Sequence, residues 1–328
     1  MNKDEDIIKG IALVTGANSG IGFETVFQLA SAGYSKVILG CRTLEKGEAA
    51  RKLLIERGSK DVFETLAVDV SEVESAIRAS EELISKGYKI DLLILNAGMV
   101  SGSSITRNSS GVDMTFASTL IGHHAMTINL LTKGGISENG RIIIAGSEGA
   151  RGDVPGVSLP DIDKIAREDF KGSMHDALKA YAEATYPAKY VPMSAYALAK
   201  VFVAWWSSSL AKRLPSGITV NAVSPGSVPS TNFARNQSPM MRIIMLPMIK
   251  IIGPLMGLAG PISAAGKRYI EVSHYGKEVS GKFFASPPKK AVGKLEEQHI
   301  ALLQDESKQE EGYKLIVELA GGIDYVNN

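Results

Sequence analysis

Cysteine is almost absent from this chain, since Cys41 is the only one among 328 residues. A single thiol cannot form an internal disulfide or supply a cysteine-built zinc site. The N-terminal residues carry alternating charges ahead of a short apolar stretch, which is not the layout of a secretory signal. These absences predict a protein of a reducing compartment, and we expect the cytoplasm.

An excess of charge of one sign is also lacking. Lysine and arginine together number 36, aspartate and glutamate 35, and the formal net charge is +1. Such a balance creates no general field that would attract nucleic acid or an acidic membrane surface. The adjacent residues His123 and His124 would point in different directions on a helix, and no carboxylate or cysteine spacing completes a metal site. We therefore expect a small-molecule partner, no nucleic acid and no metal.

No apolar run is long enough to span a membrane. The most apolar segment, 239–262, is rich in methionine, isoleucine and leucine, but prolines and the charges Arg242 and Lys250 interrupt it. Three interpretations are open: a mobile lid over an apolar substrate, a peripheral membrane contact, or an ordinary packing helix. We favour a lid at 236–265, because flexible methionine side chains suit adaptable apolar binding.

Short apolar runs of strand length alternate with amphipathic helical stretches. Strands buried on both faces read as unbroken apolar runs, and right-handed crossovers place helices on either side of the sheet. The pattern predicts an α/β protein with a doubly wound parallel sheet of about seven strands, in a single domain with a C-terminal extension at 286–328. The predicted strands are Ile11–Val14, Val37–Leu39, Thr65–Val68, Leu92–Leu95, Arg141–Ala145, Thr219–Val223 and Lys282–Ala285.

A polar stretch at 148–192 interrupts this alternation. In its middle, Phe170, Met174, Leu178 and Tyr181 would share one helical face, which predicts an inserted helix docked by that face. The insertion is either a lid over the active site or a surface elaboration that covers a sheet edge.

Glycines cluster where the first predicted strand gives way to a helix, in the run from Thr15 to Gly22. Three glycines permit a tight bend and close backbone approach to a pyrophosphate, whose charge would face free amides and the positive end of the helix dipole. The run therefore predicts a dinucleotide-binding turn. Its binding residues would be Gly16, Asn18, Ser19, Gly20, Ile21 and Gly22.

The second strand indicates which dinucleotide binds. At its end an acidic residue usually accepts hydrogen bonds from the ribose hydroxyls, but here Cys41 and Arg42 stand in that place. Arg42 can fork onto a 2′-phosphate, with Thr43 or Lys46 assisting. We therefore predict NADP(H) as the cofactor.

Two other strand ends carry candidate residues for the same crevice. Asn96 ends the fourth predicted strand, and its amide could pin neighbouring strands behind the cofactor. Asp69 ends the third, where it would either accept a hydrogen bond from an adenine amine or cap the following helix.

A phenol and an ammonium group lie one helical turn apart in Tyr196 and Lys200, so they can share one site. A nearby ammonium favours tyrosinate and should lower the pKa of Tyr196, so that the phenol can exchange a proton with a carbonyl or alcohol oxygen. Ser147 follows the predicted strand Arg141–Ala145, at the edge where an open α/β sheet binds its ligands. Its hydroxyl could hydrogen-bond the reacting oxygen, or it could start a turn.

These residues together resemble the short-chain dehydrogenase/reductase family, in its single-domain branch, over most of the chain. Thr15–Gly22 is similar to the family's cofactor turn. The strand-four motif corresponds to Asn96, Ala97 and Gly98, and the catalytic residues correspond to Ser147, Tyr196 and Lys200. The segment from Asn221 to Gly226 resembles the one that borders the nicotinamide, which adds Pro225, Gly226 and Val228 to the cofactor-binding residues. Cys41-Arg42 and Ser280–Phe284 are similar to retinol-dehydrogenase and protochlorophyllide-reductase-like members.

The chain departs from the family pattern at three places. Thr119 stands where the family has a helix-four asparagine that supports a proton relay through water. Forty-eight residues separate Ser147 from Tyr196, which predicts a remodelled substrate pocket. The family's valine-any-threonine pattern after Gly226 is longer here and occupies residues 228–231. Contacts with the cofactor carboxamide, which this pattern makes in the family, are therefore open in this chain.

The resemblance implies an NADP(H)-dependent Rossmann-fold oxidoreductase that interconverts a carbonyl and an alcohol on an apolar substrate. Tyr196 would exchange the proton, Ser147 would orient the oxygen, and Lys200 would hold ribose hydroxyls. One alternative is reduction of a conjugated C=C bond, and another is a catalytically silent NADP(H)-binding sensor or scaffold. The family also implies a homo-oligomer.

Overall fold

A computed structural model of the protein describes residues 10–102, 104–154, 156–186, 190–228, 253 and 256–325. In this part, eight strands form one sheet in the order β3-β2-β1-β4-β5-β6-β7-β8. The strands are β1 (Ile11–Thr15), β2 (Lys36–Cys41), β3 (Phe63–Ala67), β4 (Ile90–Leu95), β5 (Ile136–Ala145), β6 (Thr219–Val223), β7 (Phe283–Ala285) and β8 (Glu296–Glu297). The strand order reverses between β1 and β4, which opens a crevice at the carboxyl ends of the strands.

Strands β1 to β7 are parallel, and β8 pairs antiparallel with β7. Nearly every residue of β1, β2, β4 and β6 is buried, because helices cover both faces of the sheet. The predicted doubly wound parallel sheet is therefore confirmed. Strand β8 was not predicted, since the two acidic residues Glu296 and Glu297 leave no apolar signal.

Helices pack on both faces of the sheet. Along the chain they are α1 (Gly20–Ser31), α2 (Leu44–Glu56), α3 (Val73–Ser85), α4 (Met114–Phe116), α5 (Gly122–Thr132), α6 (Ile162–Asp169), α7 (Met174–Ala182), α8 (Pro192–Ala211), α9 (Ile262–Ser273), α10 (Ala301–Gln304) and α11 (Glu306–Leu319). A π-helical turn, Ala117–Ile121, joins α4 to α5, and a 3-10 turn, Glu148–Arg151, follows β5. Helices α3, α5, α8 and α11 share the core on one face, and α1, α2 and α9 share the core on the other.

The insertion at 148–192 contains two short helices, α6 and α7, and α7 is the predicted docked helix except that Phe170 lies outside it. Lys171 and Gly172 have φ angles of 53° and 88°, which break the helix, and the Ser173 hydroxyl then caps α7 by accepting from the Asp176 amide. Phe170 consequently lies at the end of α6 and not on the face of α7 that buries Leu178.

The C-terminal extension is held against the α8 side of the fold. The indole nitrogen of Trp205 donates to the carbonyl oxygen of Leu302 at 2.9 Å. Nε2 of His124 donates to the carbonyl oxygen of Ile323 at 2.7 Å, while Nδ1 accepts from Trp206. Hydrogen bonds from these buried side chains tie the last helices to the central helices of the domain.

Most of the predicted lid at 236–265 lies outside the described residues, as do positions 229–231. Residues 262–265 of the predicted lid form the first turn of α9. Among the helices that the structure describes, none combines the length and apolar character needed to cross a bilayer.

Candidate active site

The glycine turn between β1 and α1 has the backbone that its sequence predicts. Gly16 and Gly20 have φ angles of 66° and 58°, which glycine adopts without strain. A Cβ atom on Gly22 would lie 2.4 Å from the carbonyl oxygen of Gly16 and 2.7 Å from Nδ2 of Asn96. No side chain caps α1 at Ser19, and the first turn carries no acid, so the amides of this turn suit a pyrophosphate.

A cleft of about 270 Å³ lies over this turn, at the strand-order reversal. It brings together many residues predicted to bind the cofactor: Gly16, Asn18, Ser19, Gly20, Ile21, Arg42, Asp69, Asn96, Ala97 and Gly98. Gly40, Lys46, Val68, Val70, Met99 and Ser118 complete its lining. The glycine cradle and the cation at the end of β2 fit a phosphorylated dinucleotide.

Asn96 joins the ends of β1 and β4, in the structural role expected from its position. Its Nδ2 donates to the carbonyl oxygen of Thr15 at 3.0 Å, and its Oδ1 accepts from the Tyr269 hydroxyl at 3.3 Å. The backbone amides of Asn96 and Ala97 donate to the Thr15 hydroxyl at 2.9 and 3.0 Å. These bonds set the spacing of the two strands at the floor of the cleft.

His123 completes this arrangement from α5. Its Nδ1 lies 2.9 Å from the carbonyl oxygen of Thr119, which can only accept, so Nδ1 carries the proton. Nε2 therefore accepts from the Thr15 hydroxyl at 2.9 Å. Full burial lowers the pKa of His123 to about 4, which keeps the imidazole neutral in this role.

Arg42 and Asp69 form an ion pair at the mouth of the cleft. Nε of Arg42 donates to Oδ2 of Asp69 at 3.0 Å, and the Arg42 side chain remains half exposed. Oδ1 of Asp69 accepts from the amide and hydroxyl of Ser71, within the turn that precedes α3. Asp69 does not cap α3 directly, because Glu72 occupies the N-cap position.

The two residues expected to assist Arg42 differ in their surroundings. The Thr43 hydroxyl accepts from the Lys46 amide at the start of α2, so it serves as a helix cap. Lys46 lines the cleft. The lysine is therefore the one placed to face a phosphate beside Arg42.

Ser147, Tyr196 and Lys200 converge where β5 meets α8. The Ser147 hydroxyl accepts from the Gly149 amide at 3.1 Å and is hydrogen-bonded to the phenol of Tyr196. The Lys200 ammonium lies 5.6 Å from the centre of the Tyr196 ring and donates to the carbonyl oxygen of Ala145 at 2.7 Å. Residues from two distant parts of the chain thus form one cluster.

The expected lowering of the Tyr196 pKa is not observed. Burial raises the pKa of Tyr196 to about 12, the Ser147 hydrogen bond partly opposes this rise, and the charge of Glu148 adds to it. Burial also lowers the pKa of Lys200 to about 7. The prediction from helical spacing was wrong because desolvation outweighs the attraction of an ammonium that is directed at a backbone carbonyl.

The π-helical turn Ala117–Ile121 places Thr119 behind the cleft. The Thr119 hydroxyl oxygen is buried, has no hydrogen-bond partner among the described residues, and would lie 3.5 Å from a Cβ atom on Gly98. A buried hydroxyl without a partner is costly unless a water molecule or ligand satisfies it. Thr119 can therefore bind a water molecule at this position.

Pro225, Gly226 and Val228 follow β6, whose end is paired with the end of β5. Gly226 has a φ angle of 81°, and its amide donates to the Ser224 hydroxyl at 3.1 Å. None of the three belongs to the lining of the cleft over the glycine turn. Their contact with a nicotinamide stays a prediction.

A second hollow, of about 190 Å³, lies between the insertion and the start of α8. The rings of Tyr181 and Tyr186 stack there at 4.9 Å. The hydroxyl of Tyr186 donates to Asp169 and that of Tyr190 to Asp113, which leaves ring surface to line the hollow. Its lining consists of Ile105, Ser158, Leu159, Pro160, Ala180, Tyr181, Ala184, Tyr186, Tyr190, Val191, Ser194 and Ala195.

Sequence reasoning did not find His123 as a partner of Thr15 or Tyr269 as a partner of Asn96. In each pair the residues are more than a hundred positions apart. Neither residue stands in a local motif, so only the packing of α5 and α9 against the sheet reveals them.

Comparison with known proteins places these features in context. The family model for short chain dehydrogenase matches residues 10–182. Human retinol dehydrogenase 13 is 29% identical over 281 residues, which cover 85% of this chain and 77% of that protein. The WW domain-containing oxidoreductase of Drosophila melanogaster is 32% identical over 235 residues, 71% of this chain and 52% of that protein. The chain thus aligns with about half the length of the latter.

Solved structures show the same fold. A protein from Mycobacterium Paratuberculosis superposes with a TM-score of 0.69 at 19% identity and covers 99% of this chain and 98% of its own. Actinorhodin polyketide ketoreductase with NADPH gives a TM-score of 0.61 at 22% identity, with 86% and 96% coverage. Salutaridine reductase from Papaver somniferum gives 0.59 at 20% identity, with 84% and 99% coverage.

Proposed function

This chain belongs to the short-chain dehydrogenase family of oxidoreductases, and we propose that it is an NADP(H)-dependent enzyme that interconverts a carbonyl and an alcohol on an apolar substrate. The observation that carries this proposal is the hydrogen-bonded cluster of Ser147 and Tyr196 with Lys200 beside it. This cluster lies at the same edge of the sheet as the cleft over the glycine turn, since the strands are parallel.

The residues around the cleft fit a nicotinamide dinucleotide phosphate. The glycine turn would hold the pyrophosphate, and Arg42 with Lys46 would hold a 2′-phosphate, because both line the cleft and carry positive charge. A bound cofactor of this class supplies or accepts the hydride. Actinorhodin polyketide ketoreductase, which has the same fold, was solved with NADPH, in agreement with this choice.

Tyr196 is proposed to be the general acid of the reduction. Its raised pKa keeps the phenol protonated at neutral pH, so it can donate a proton to the oxygen of a carbonyl as the adjacent carbon is reduced. Ser147, already hydrogen-bonded to the phenol, would orient that oxygen. In the reverse direction the same phenol would have to be deprotonated, so we expect oxidation of the alcohol to be faster at high pH.

Lys200 is proposed to act on the cofactor side of Tyr196. Its ammonium is anchored to the Ala145 carbonyl at the end of β5 and lies beside the phenol ring. An ammonium has further donors available, and these would bind ribose hydroxyls. Because burial lowers the pKa of Lys200 to about 7, the lysine carries its proton in only about half of the molecules at neutral pH. In that protonated form its charge would stabilise the tyrosinate that forms when Tyr196 gives up its proton.

The hollow beside α8 is a feature that favours an apolar substrate. It adjoins Ala195, the residue that directly precedes Tyr196, and tyrosine rings form one of its walls. Aromatic rings bury large apolar groups with specific geometry. We propose that the part of the substrate remote from the carbonyl lies against these rings.

Replacement of Tyr196 by phenylalanine tests the proposal. We expect the variant to lose turnover of apolar ketones and aldehydes while it binds NADPH normally, because only the proton donor is removed. The experiment measures NADPH binding by cofactor fluorescence and turnover by cofactor oxidation, with Tyr275→Phe as a control in which a hydroxyl bonded to Glu271 is lost.

The outcomes separate the alternative functions. Substantial residual turnover in Tyr196→Phe would exclude Tyr196 as the proton donor. A saturated ketone formed from an enone would favour C=C reduction, and NADPH binding by the wild-type protein without turnover on any substrate of the panel would favour a sensor.

A further inference from the structure

Glu148 is a buried acid directly beside the proposed catalytic serine. It begins the 3-10 turn after Ser147, and its side chain is only 5% exposed. An ionised carboxylate at such a position is costly unless several donors satisfy it. No sequence motif identifies Glu148 as functional, so its role has to be inferred from the residues around it.

Donors from three other elements surround the Glu148 carboxylate. Oε1 accepts from Nη1 of Arg268 at 3.3 Å and from the amide and hydroxyl of Ser286 at 3.2 and 2.8 Å. Oε2 accepts from the Ser224 hydroxyl at 2.5 Å. Glu148 therefore connects the end of β5 with the ends of β6 and β7 and with α9.

Both terminal nitrogens of Arg268, on α9, donate hydrogen bonds in this network. Besides Glu148, its Nη1 donates to the Ser224 carbonyl at 3.1 Å, and its Nη2 donates to the Ser286 hydroxyl at 2.9 Å and the Gly293 carbonyl at 2.7 Å. A buried network is rigid when each polar group has a hydrogen-bond partner. The loss of one member leaves its partners without a hydrogen bond.

The network also restricts the turn that carries Pro225 and Gly226. A Cβ atom on Gly226 would lie 2.9 Å from Nη1 of Arg268, and the Gly226 amide donates to the Ser224 hydroxyl, which in turn donates to Glu148. The ion pair between Glu148 and Arg268 thus holds both this turn and the 3-10 turn that follows Ser147.

Glu148 also acts on Tyr196 through its charge. The groups that face the phenol are the Ser147 hydroxyl, the Lys200 ammonium on its own helix, and the carboxylate of Glu148. Tyr269 on α9 is a neutral neighbour, since burial keeps its pKa far above the ordinary range. Among these groups Glu148 supplies the negative charge, which opposes formation of tyrosinate.

We propose that Glu148 is a positioning residue of the active site: paired with Arg268, it locks the Ser147 turn to the Ser224–Gly226 turn and presents a fixed negative charge to the phenol of Tyr196. Its charge opposes loss of the phenol proton and so raises the pH at which Tyr196 can accept a proton from an alcohol. This inference rests on the proposed role of Tyr196.

The test measures kcat/KM for alcohol oxidation with NADP⁺ against pH in the full-length protein. Glu148→Gln keeps the shape of the side chain and removes its charge, so the rising limb of the profile should move to lower pH by about half a unit or more. Glu148→Asp keeps the charge but shortens the side chain, so its profile should stay at the wild-type pH while kcat falls. A merely structural role would lower kcat in both variants without moving either profile.

Asp153→Asn is the matched control. This carboxylate belongs to the same loop, and its partners are Arg151 and the Lys289 amide, which are not the partners of Glu148. Asp153→Asn changes the net charge of the protein by the same amount as Glu148→Gln. It should leave the pH profile of kcat/KM unchanged. Cofactor affinity and thermal melting of each variant show whether the fold is retained.

A second variant keeps the inference testable if Glu148→Gln does not fold. Arg268→Gln leaves the Glu148 charge uncompensated, so the profile should move to higher pH, opposite to the shift in Glu148→Gln. Folded variants with unmoved profiles would overturn the inference while the role of Tyr196 stands. If Tyr196→Phe itself remains active, the proposed function fails instead.

Discussion

The hydroxyl of Thr15, at the end of β1, donates to the neutral imidazole of His123 in α5 at a distance of 2.9 Å. Its oxygen also accepts the amides of Asn96 and Ala97, so the hydroxyl has no remaining hydrogen-bonding capacity. A helix on one face of the sheet thereby orients a hydroxyl that joins two strands beneath the cleft. The cleft is preorganised by this contact and does not depend on the glycine turn alone.

His123→Leu should weaken the protein and its cofactor binding together. The substitution removes the acceptor of the Thr15 hydroxyl and the ring donor to the Thr119 carbonyl, and an unsatisfied buried hydroxyl costs about 1–3 kcal/mol of unfolding free energy. Urea denaturation and NADPH titration measure the two effects. In a double-mutant cycle with Thr15→Val, the effects should be less than additive, and strict additivity would show that the two residues act independently.

The stability of the protein should fall as the pH is lowered from about 6.5 to 4. Burial lowers the pKa of both His123 and His124 to about 4 in the folded protein, whereas in the unfolded chain they titrate near 6.5. The unfolded state therefore binds protons first, and each histidine contributes stability that is complete above pH 6.5 and lost towards pH 4. The loss amounts to roughly 3 kcal/mol for each histidine.

Urea denaturation at several pH values between 7.5 and 5 tests this dependence. The exposed His274 provides a control, because His274→Gln should leave the slope unchanged. His124→Gln should reduce the slope if the variant folds. A flat dependence of unfolding free energy on pH in this interval in the wild-type protein would contradict the assignment of neutral buried histidines.

Arg42→Ala should change the cofactor preference. If Arg42 binds the 2′-phosphate, its loss should weaken NADPH binding by about 10- to 100-fold and leave NADH binding nearly unchanged, since hydrogen bonds to charged groups contribute about 1.5–3 kcal/mol. Fluorescence titration with both cofactors gives the ratio. The exposed Arg78 on α3 is a matched control. Equal losses for NADPH and NADH would mean that Arg42 does not distinguish them.

Gly22→Ala should abolish cofactor binding. The added methyl group would lie 2.4 Å from the carbonyl oxygen of Gly16, so the turn would have to open. Gly58→Ala is a suitable comparison, because nothing lies within 4 Å of the added group and only its positive φ angle is unfavourable. Normal NADPH binding by a folded Gly22→Ala protein would show that the turn does not hold the pyrophosphate.

Tyr181→Ala should reduce the preference for large apolar substrates. If the remote part of the substrate lies against the stacked rings of Tyr181 and Tyr186, the kcat/KM ratio of 2-naphthaldehyde to butanal should fall by about tenfold. The activity on butanal itself should change little, since Ser147 and Tyr196 are untouched. Tyr275→Ala, outside this hollow, serves as the control, and a ratio that stays at the wild-type value would place the substrate elsewhere.

Prediction from the sequence worked where the signal was local and periodic. The buried strands were visible as apolar runs, and the glycine turn was visible because a tight bend requires particular residues at fixed spacing. In the insertion it wrongly placed Phe170 on the docked helix, because the backbone at Lys171 and Gly172 separates Phe170 from α7. It was wrong for the direction of the Tyr196 pKa, because helical spacing reports neighbours on one helix but not burial.

The amino-acid sequence by itself determined the doubly wound sheet, the glycine turn and the residue types that stand at the strand ends. These follow from hydrophobic burial and backbone geometry, which act over a few neighbouring residues. Only the tertiary structure decided that His123 orients Thr15, that Arg268 pairs with Glu148, and that Tyr196 stays protonated. Each of these depends on desolvation and on hydrogen bonds between residues far apart in the chain, and such contacts exist only after helices α5, α8 and α9 have packed against the sheet.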